Sequence, residues 1–228
     1  MIRIAHFLFR LTATLLISAC TASGPLLNSD RIEERFGSYS LDVLSQDEDR
    51  RISSLYSLHG SDRITRTYAI VEYLHSPRAD YRIEHDAVLS GGSIGQTFRR
   101  TGWSIRKQNL FIDELEVPPT YQLLGNLMHI ELPAILAVHQ YLLIISNEER
   151  SFSYARITEI HHPDFLGLYD LQRIYGEMLF DASNRDSIRD FLGEPGEISR
   201  AAVQVTSRWD SFDSSAPFLS TSPCVPGS

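Results

Sequence analysis

The sequence predicts an α+β domain: a mainly antiparallel sheet of about six strands with helices packed on one face. Three observations carry this reading. Six runs rich in β-branched and aromatic residues occur, several joined by short turns of Gly, Asp, Asn and Ser, as in hairpins rather than βαβ crossovers. Segments with apolar residues at helical spacing lie between and after them. Hydrophobic residues make up 43% of the chain and charged residues 22%, ordinary for a globular protein with a real core.

The chain starts with Arg3, His6 and Arg10, then an apolar run over residues 11–20 (LTATLLISAC) that closes on small residues and Cys20. A positive start, an apolar stretch and small residues at the cut are the order of a secretory leader. The run falls short of the roughly 20 residues that a spanning helix needs. Ile17-Ser18-Ala19-Cys20 resembles the lipobox of bacterial lipoproteins. That resemblance covers the leader alone. It implies cleavage before Cys20 and a lipid on its thiol. With Thr21 rather than aspartate following, it also implies sorting to the outer membrane, facing the periplasm. On this reading residues 1–19 are the signal, 20–30 a tether, 31–209 one α+β domain, and the serine- and proline-rich 210–228 a disordered tail. Cys224, the other cysteine, then has no partner, and the fold must stand on its core.

Asn28, Ser29 or Asp30 can cap a helix over residues 31–36 that stops at Gly37. Strands are expected over 39–44, 51–58 and 64–74, the first two separated by the charged turn QDEDR. Ser76-Pro77 is a helix start, and Tyr81, Val88, Gly91, Gly95 and Phe98 keep one helical face to Arg100, with Gly102 as the stop. Residues 103–115 return to strand. Val117-Pro118-Pro119-Thr120 breaks the chain, and a loop is expected to about residue 127. Residues 134–145 (AILAVHQYLLII) are the most apolar stretch after the leader and should be buried on both sides. β-branched and aromatic content favours a central strand there over a buried helix, which periodicity does not separate from it. Residues 151–162 would be the partner strand across a hairpin at 147–150. Leu168, Leu171, Tyr175 and Met178 recur at helical spacing, and a further short helix is expected over 186–192, closed by Gly193 and Pro195.

The formal net charge is −8 and there is no basic run, which argues against gripping a phosphate backbone. Lys107 is the single lysine, a bias that reads as GC-rich coding rather than function. Gly91-Gly92-Ser93-Ile94-Gly95 matches the G-x-S-x-G nucleophile elbow, but it falls inside a predicted helix with no strand before it. The simpler role is packing, with Gly91 and Gly95 on one face letting that helix approach the sheet. Successive residues on a strand point to opposite faces, so His161 and His162 do not share a site. With a four-residue loop at 147–150, Ile135 falls opposite His162 and Pro133 opposite Asp164. His129, Glu131, His162 and Asp164 would then gather at one end of the hairpin, a donor set suited to a divalent transition ion. His139 lies too far along the strand from Glu131 to join them. The runs Asp47–Arg51 and Glu148–Arg150 read as solvated turns.

These observations point to a lipid-anchored, non-catalytic envelope module without a cofactor, which binds a partner or assists assembly. The alternative is a metal-dependent hydrolase with Glu131 as general base.

Overall fold

The computed structural model describes residues 26–74 and 78–176. Its centre is a six-stranded sheet in the order β1-β2-β3-β6-β5-β4, antiparallel throughout. The strands are β1 (Ser40–Gln46), β2 (Arg50–His59), β3 (Asp62–Tyr73), β4 (Ser104–Val117), β5 (Ala134–Ser146) and β6 (Ser151–His161). Two meanders, β1-β2-β3 and β4-β5-β6, therefore meet along the β3–β6 seam. The α+β expectation holds, and residues 134–145 form a central strand.

The β1–β2 and β5–β6 hairpins close with one device. Asp47 Oδ1 accepts the backbone N–H groups of Asp49 and Arg50, at 2.9 and 2.8 Å. Asn147 Oδ1 accepts those of Glu149 and Arg150, at 3.1 and 2.9 Å. A short side chain folding back on its own turn is the reason Asp and Asn mark these positions.

The helices are α1 (Asn28–Phe36), α2 (Arg82–Leu89), α3 (Ile94–Arg100), α4 (Gln122–Met128) and α5 (Leu168–Tyr175). Asp30 caps α1 by accepting the Leu27 N–H at 3.0 Å, and Gly37 ends it at φ +75°. Alternation along the strands sorts the core into two layers. One face presents Tyr68, Ile70, Leu136, Val138 and Ile160 to Leu124, Leu127 and Met128 of α4. The other presents Val71, Tyr141, Leu143 and Ile157, and receives α1, α2, α3 and α5. Helices on one face thus describes four of the five. α4 covers the opposite side, in the stretch expected to be a loop. Seven residues with a central glycine carry too little periodicity to register as a helix; burial of its leucines and methionine holds it.

The single helix expected over 76–100 is two. Gly91 stands at φ +99° between α2 and α3, a conformation that only glycine adopts without strain. A Cβ on Gly91 would meet nothing within 4 Å, so its role is backbone freedom, not packing. Gly95 does serve packing, against α1 rather than the sheet: a Cβ there would come within 2.7 Å of Leu27 Cδ1. Aromatic rings fix this helix pair to the sheet. Phe98 lies 4.8 Å from Tyr154 and Tyr81 lies 5.5 Å from Phe152, all edge to face. No helix among the described residues is long and apolar enough to cross a membrane. The leader, Cys20, Ser76-Pro77, the helix expected over 186–192 and the tail over 210–228 lie outside the described residues.

Candidate functional site

The four-helix face of the sheet holds a half-open cavity of about 90 Å³ beneath α1 and α3. Most of its wall is aliphatic, from residues such as Leu27, Leu55, Val71, Ile94 and Leu143. Strand register brings polar side chains from both meanders to this one face. Glu159 opposes His139 and Ala69, Ala69 opposes Ser53, and Arg51 opposes Val71. Lys107 opposes Leu143 on the outermost strand. Arg51, Lys107, Glu159 and Asn28 all contribute to the lining.

In the C-terminal meander the polar groups satisfy one another. Lys107 Nζ donates to Glu159 Oε2 at 3.1 Å and to the Tyr175 hydroxyl at 3.3 Å, and sits 4.1 Å from the Tyr141 ring centroid. The Tyr141 hydroxyl donates to Glu159 Oε1 at 2.8 Å. Asn109 Nδ2 donates to the Tyr175 carbonyl at 2.9 Å, leaving Oδ1 to accept from His139 Nε2 at 3.0 Å. His139 therefore carries its proton on Nε2, and the bare Nδ1 faces Glu159 Oε2 from 3.9 Å. His161 Nε2 stands equally far from the same oxygen, and its Nδ1 is 3.1 Å from the Thr67 hydroxyl.

The protonation states follow from burial and this arrangement. Burial, with Lys107 close by, drives His139 down to about 2, and burial takes His161 to about 4. Burial alone would raise the Glu159 carboxyl. Lys107, the two imidazoles and the Tyr141 hydroxyl overcome it and hold the group at about 2. Burial would lower Lys107, but Glu159 and Tyr175 raise it above its ordinary value. At neutral pH the cluster is one ammonium, one carboxylate and two neutral imidazoles. None of the four titrates near neutrality, where a general acid or base works best.

The N-terminal meander supplies a different arrangement. Arg51 is 2% exposed, its Nε donating to Ser53 Oγ at 2.8 Å and its Nη1 to the carbonyls of Val88 and Gly92 at 3.1 and 2.8 Å. Burial pulls its pKa below the ordinary value, and the groups opposing that are tyrosine hydroxyls. No carboxylate among the described residues pairs with it. Asn28, 5% exposed at the start of α1, has neither amide nitrogen nor amide oxygen hydrogen bonded.

The four predicted metal ligands are not brought into one site. Ser146 faces Ser151 as the loop length requires, but a bulge between Leu143 and Ile144 sets Leu143 opposite Ala155 and shifts the register by one. A one-residue shift exchanges faces. His161 consequently joins His139 on the cavity face, while His162 lies on the α4 side. His162 is also occupied: its Nδ1 accepts the Asp164 backbone N–H at 2.9 Å, and the ring meets the Met128 backbone. His129 is the left-handed residue ending α4, and Glu131 and the Asp164 side chain are exposed. Among the described residues no group of three or more His, Cys, Asp or Glu is placed to hold a metal ion.

Ser93 precedes α3 in a helix–turn–helix setting and borders the cavity, without the strand that an elbow requires. The turn reading holds for Glu148–Arg150, which are exposed, and fails for Arg51, which is buried. Sequence reasoning missed Arg51, Lys107 and Glu159. One signal was present: the only lysine of the chain stands on a strand and ends at the only buried carboxylate among the described residues. Comparison of the chain with protein-family models, with curated proteins and with solved structures finds no match.

Proposed function

We propose that this chain is a lipid-anchored, non-catalytic binding module of the bacterial envelope, and that its cavity takes a small, largely apolar molecule. The observation that carries the binding role is an aliphatic cavity at the centre of the helix-covered face. Ligand sites are concave, mainly apolar and fitted with a few placed polar groups. The neighbouring ionisable cluster supports a non-catalytic role, since each of its charges is held far from neutrality. Anchoring at Cys20 rests on the lipobox-like Ile17-Ser18-Ala19-Cys20.

Two measurements test this. Methyl-labelled full-length protein is titrated with a panel of six-carbon molecules, neutral and charged. Shifts are expected at Leu27, Leu55, Ile94 and Leu143, and a Leu55→Trp variant that fills the space should abolish them. A panel in which no member moves these methyls sinks the binding role. Radiolabelled palmitate should enter the wild type but not Cys20→Ser in a host that processes lipoproteins; an unlabelled wild type sinks the anchor.

A further inference from the structure

We propose that the molecule seated in this cavity is a short amphiphilic carboxylate, its acid group held by Arg51 and Asn28 and its hydrocarbon lying on the aliphatic wall. This rests on reading the cavity as a binding site and names the chemistry that the site selects.

Arg51 is buried and Lys107 largely buried at the cavity, and among the described residues Glu159 is the one carboxylate facing them. Glu159 is already committed to Lys107 Nζ through Oε2 and to Tyr141 through Oε1. The two imidazoles are neutral, so among the described residues the lining holds one cation without a carboxylate of its own. Carbonyl dipoles from Val88 and Gly92 orient the guanidinium without cancelling its charge. A buried charge without a counter-ion is unfavourable, and an anion in the cavity removes the cost.

Asn28 buries a donor and an acceptor, neither with a partner among the described residues. Native structures rarely leave such groups unmet. The amide N–H suits a carboxylate oxygen, and the amide oxygen suits a hydroxyl carried beside it. Both residues line the same small space; the Asn28 amide atoms have no accessible surface of their own, so the side chain turns for one head group to answer both.

Size and wall set the remainder of the ligand. At about 10–15 Å³ for each water-sized group, the cavity holds roughly six to nine nonhydrogen atoms. One guanidinium and one amide are few donors for a phosphate dianion but match a single carboxylate. The aliphatic wall then calls for a short alkyl body.

The test is titration of full-length protein with hexanoate, 3-hydroxyhexanoate, hexanol and hexylamine, followed by the cavity methyls and by calorimetry. These molecules are too short to form micelles and can be used beside detergent. Hexanoate should bind at least about tenfold more tightly than hexanol, with hexylamine weakest. Arg51→Met should abolish the preference for acid over alcohol. Asn28→Leu should weaken hexanoate and 3-hydroxyhexanoate, the hydroxy acid more, while leaving hexanol unchanged. That second variant removes no existing hydrogen bond, so it reports on the ligand even where Arg51→Met fails to fold. Hexanol binding as tightly as hexanoate, or an acid preference that survives in Asn28→Leu and Arg51→Met, overturns the proposal and leaves a purely apolar site. A panel with no binder overturns the underlying reading instead.

Discussion

Lys107 and Arg51 are cations on the same face of the same sheet, one in each meander, the first largely and the second fully buried, and their surroundings differ in kind. Lys107 ends on a carboxylate, a tyrosine hydroxyl and a tyrosine ring. Arg51 ends on a serine hydroxyl and two backbone carbonyls. The first cation is compensated by the fold, and the second is oriented by it. A fully compensated buried pair holds a structure together, because removing one partner strands the other. On the proposed reading, an oriented cation that no described carboxylate pairs with is met by the acid group of a ligand.

The comparison can be broken most directly at Lys107. Lys107→Met strands Glu159 in the core and is expected to destabilise by about 3–5 kcal/mol in denaturant unfolding. The double variant Lys107→Met/Glu159→Gln should recover much of that loss. If the double variant is as damaged as the single, Lys107 is packing rather than compensating charge.

Next comes acid. In the unfolded chain imidazoles take up protons near 6.5 and glutamate near 4.5, whereas the folded cluster resists until about 4 for His161 and about 2 for His139 and Glu159. The unfolded state binds more protons throughout that window. Stability present above pH 6.5 should therefore fall as pH drops, the histidines acting first and Glu159 below 4.5. His161→Phe should flatten the profile between about 6.5 and 4, read by unfolding free energy against pH. Arg51→Met should leave its shape unchanged, because a guanidinium does not titrate there.

Arg51→Met is expected to cost less than Lys107→Met, about 1–3 kcal/mol, the penalty for leaving the buried Val88 carbonyl without its donor. A loss as large as that of Lys107→Met would mean that a counter-charge for Arg51 exists in the fold, and the contrast would collapse. The smallest effect is expected at Asn28. Asn28→Leu removes an amide with no partner and should raise ligand-free stability by about 1 kcal/mol while weakening acid binding. Loss of stability in that variant would show the amide to be satisfied after all.

The sequence by itself determined the strands, their antiparallel pairing, the turns at Asp47 and Asn147 and the stop at Gly37. Each is set by neighbours in the chain: alternation of side chains, an oxygen folding back two or three residues, a backbone that only glycine adopts. The tertiary structure alone decided the site. The bulge at Leu143–Ile144 exchanged which histidine lies on the cavity's side of the sheet, and nothing local to His161 or His162 announces a bulge at the other end of the hairpin. Arg51 belongs by sequence to a charged turn and by position to the core, because β2 has already begun and its odd residues point under α2 and α3. Lys107 and Glu159 lie on strands with β5 between them, so their pairing depends on the order in which the strands assemble. Secondary structure is written in short-range pattern. A buried charge is compensated or left open by residues distant in the chain, and only the assembled sheet shows which.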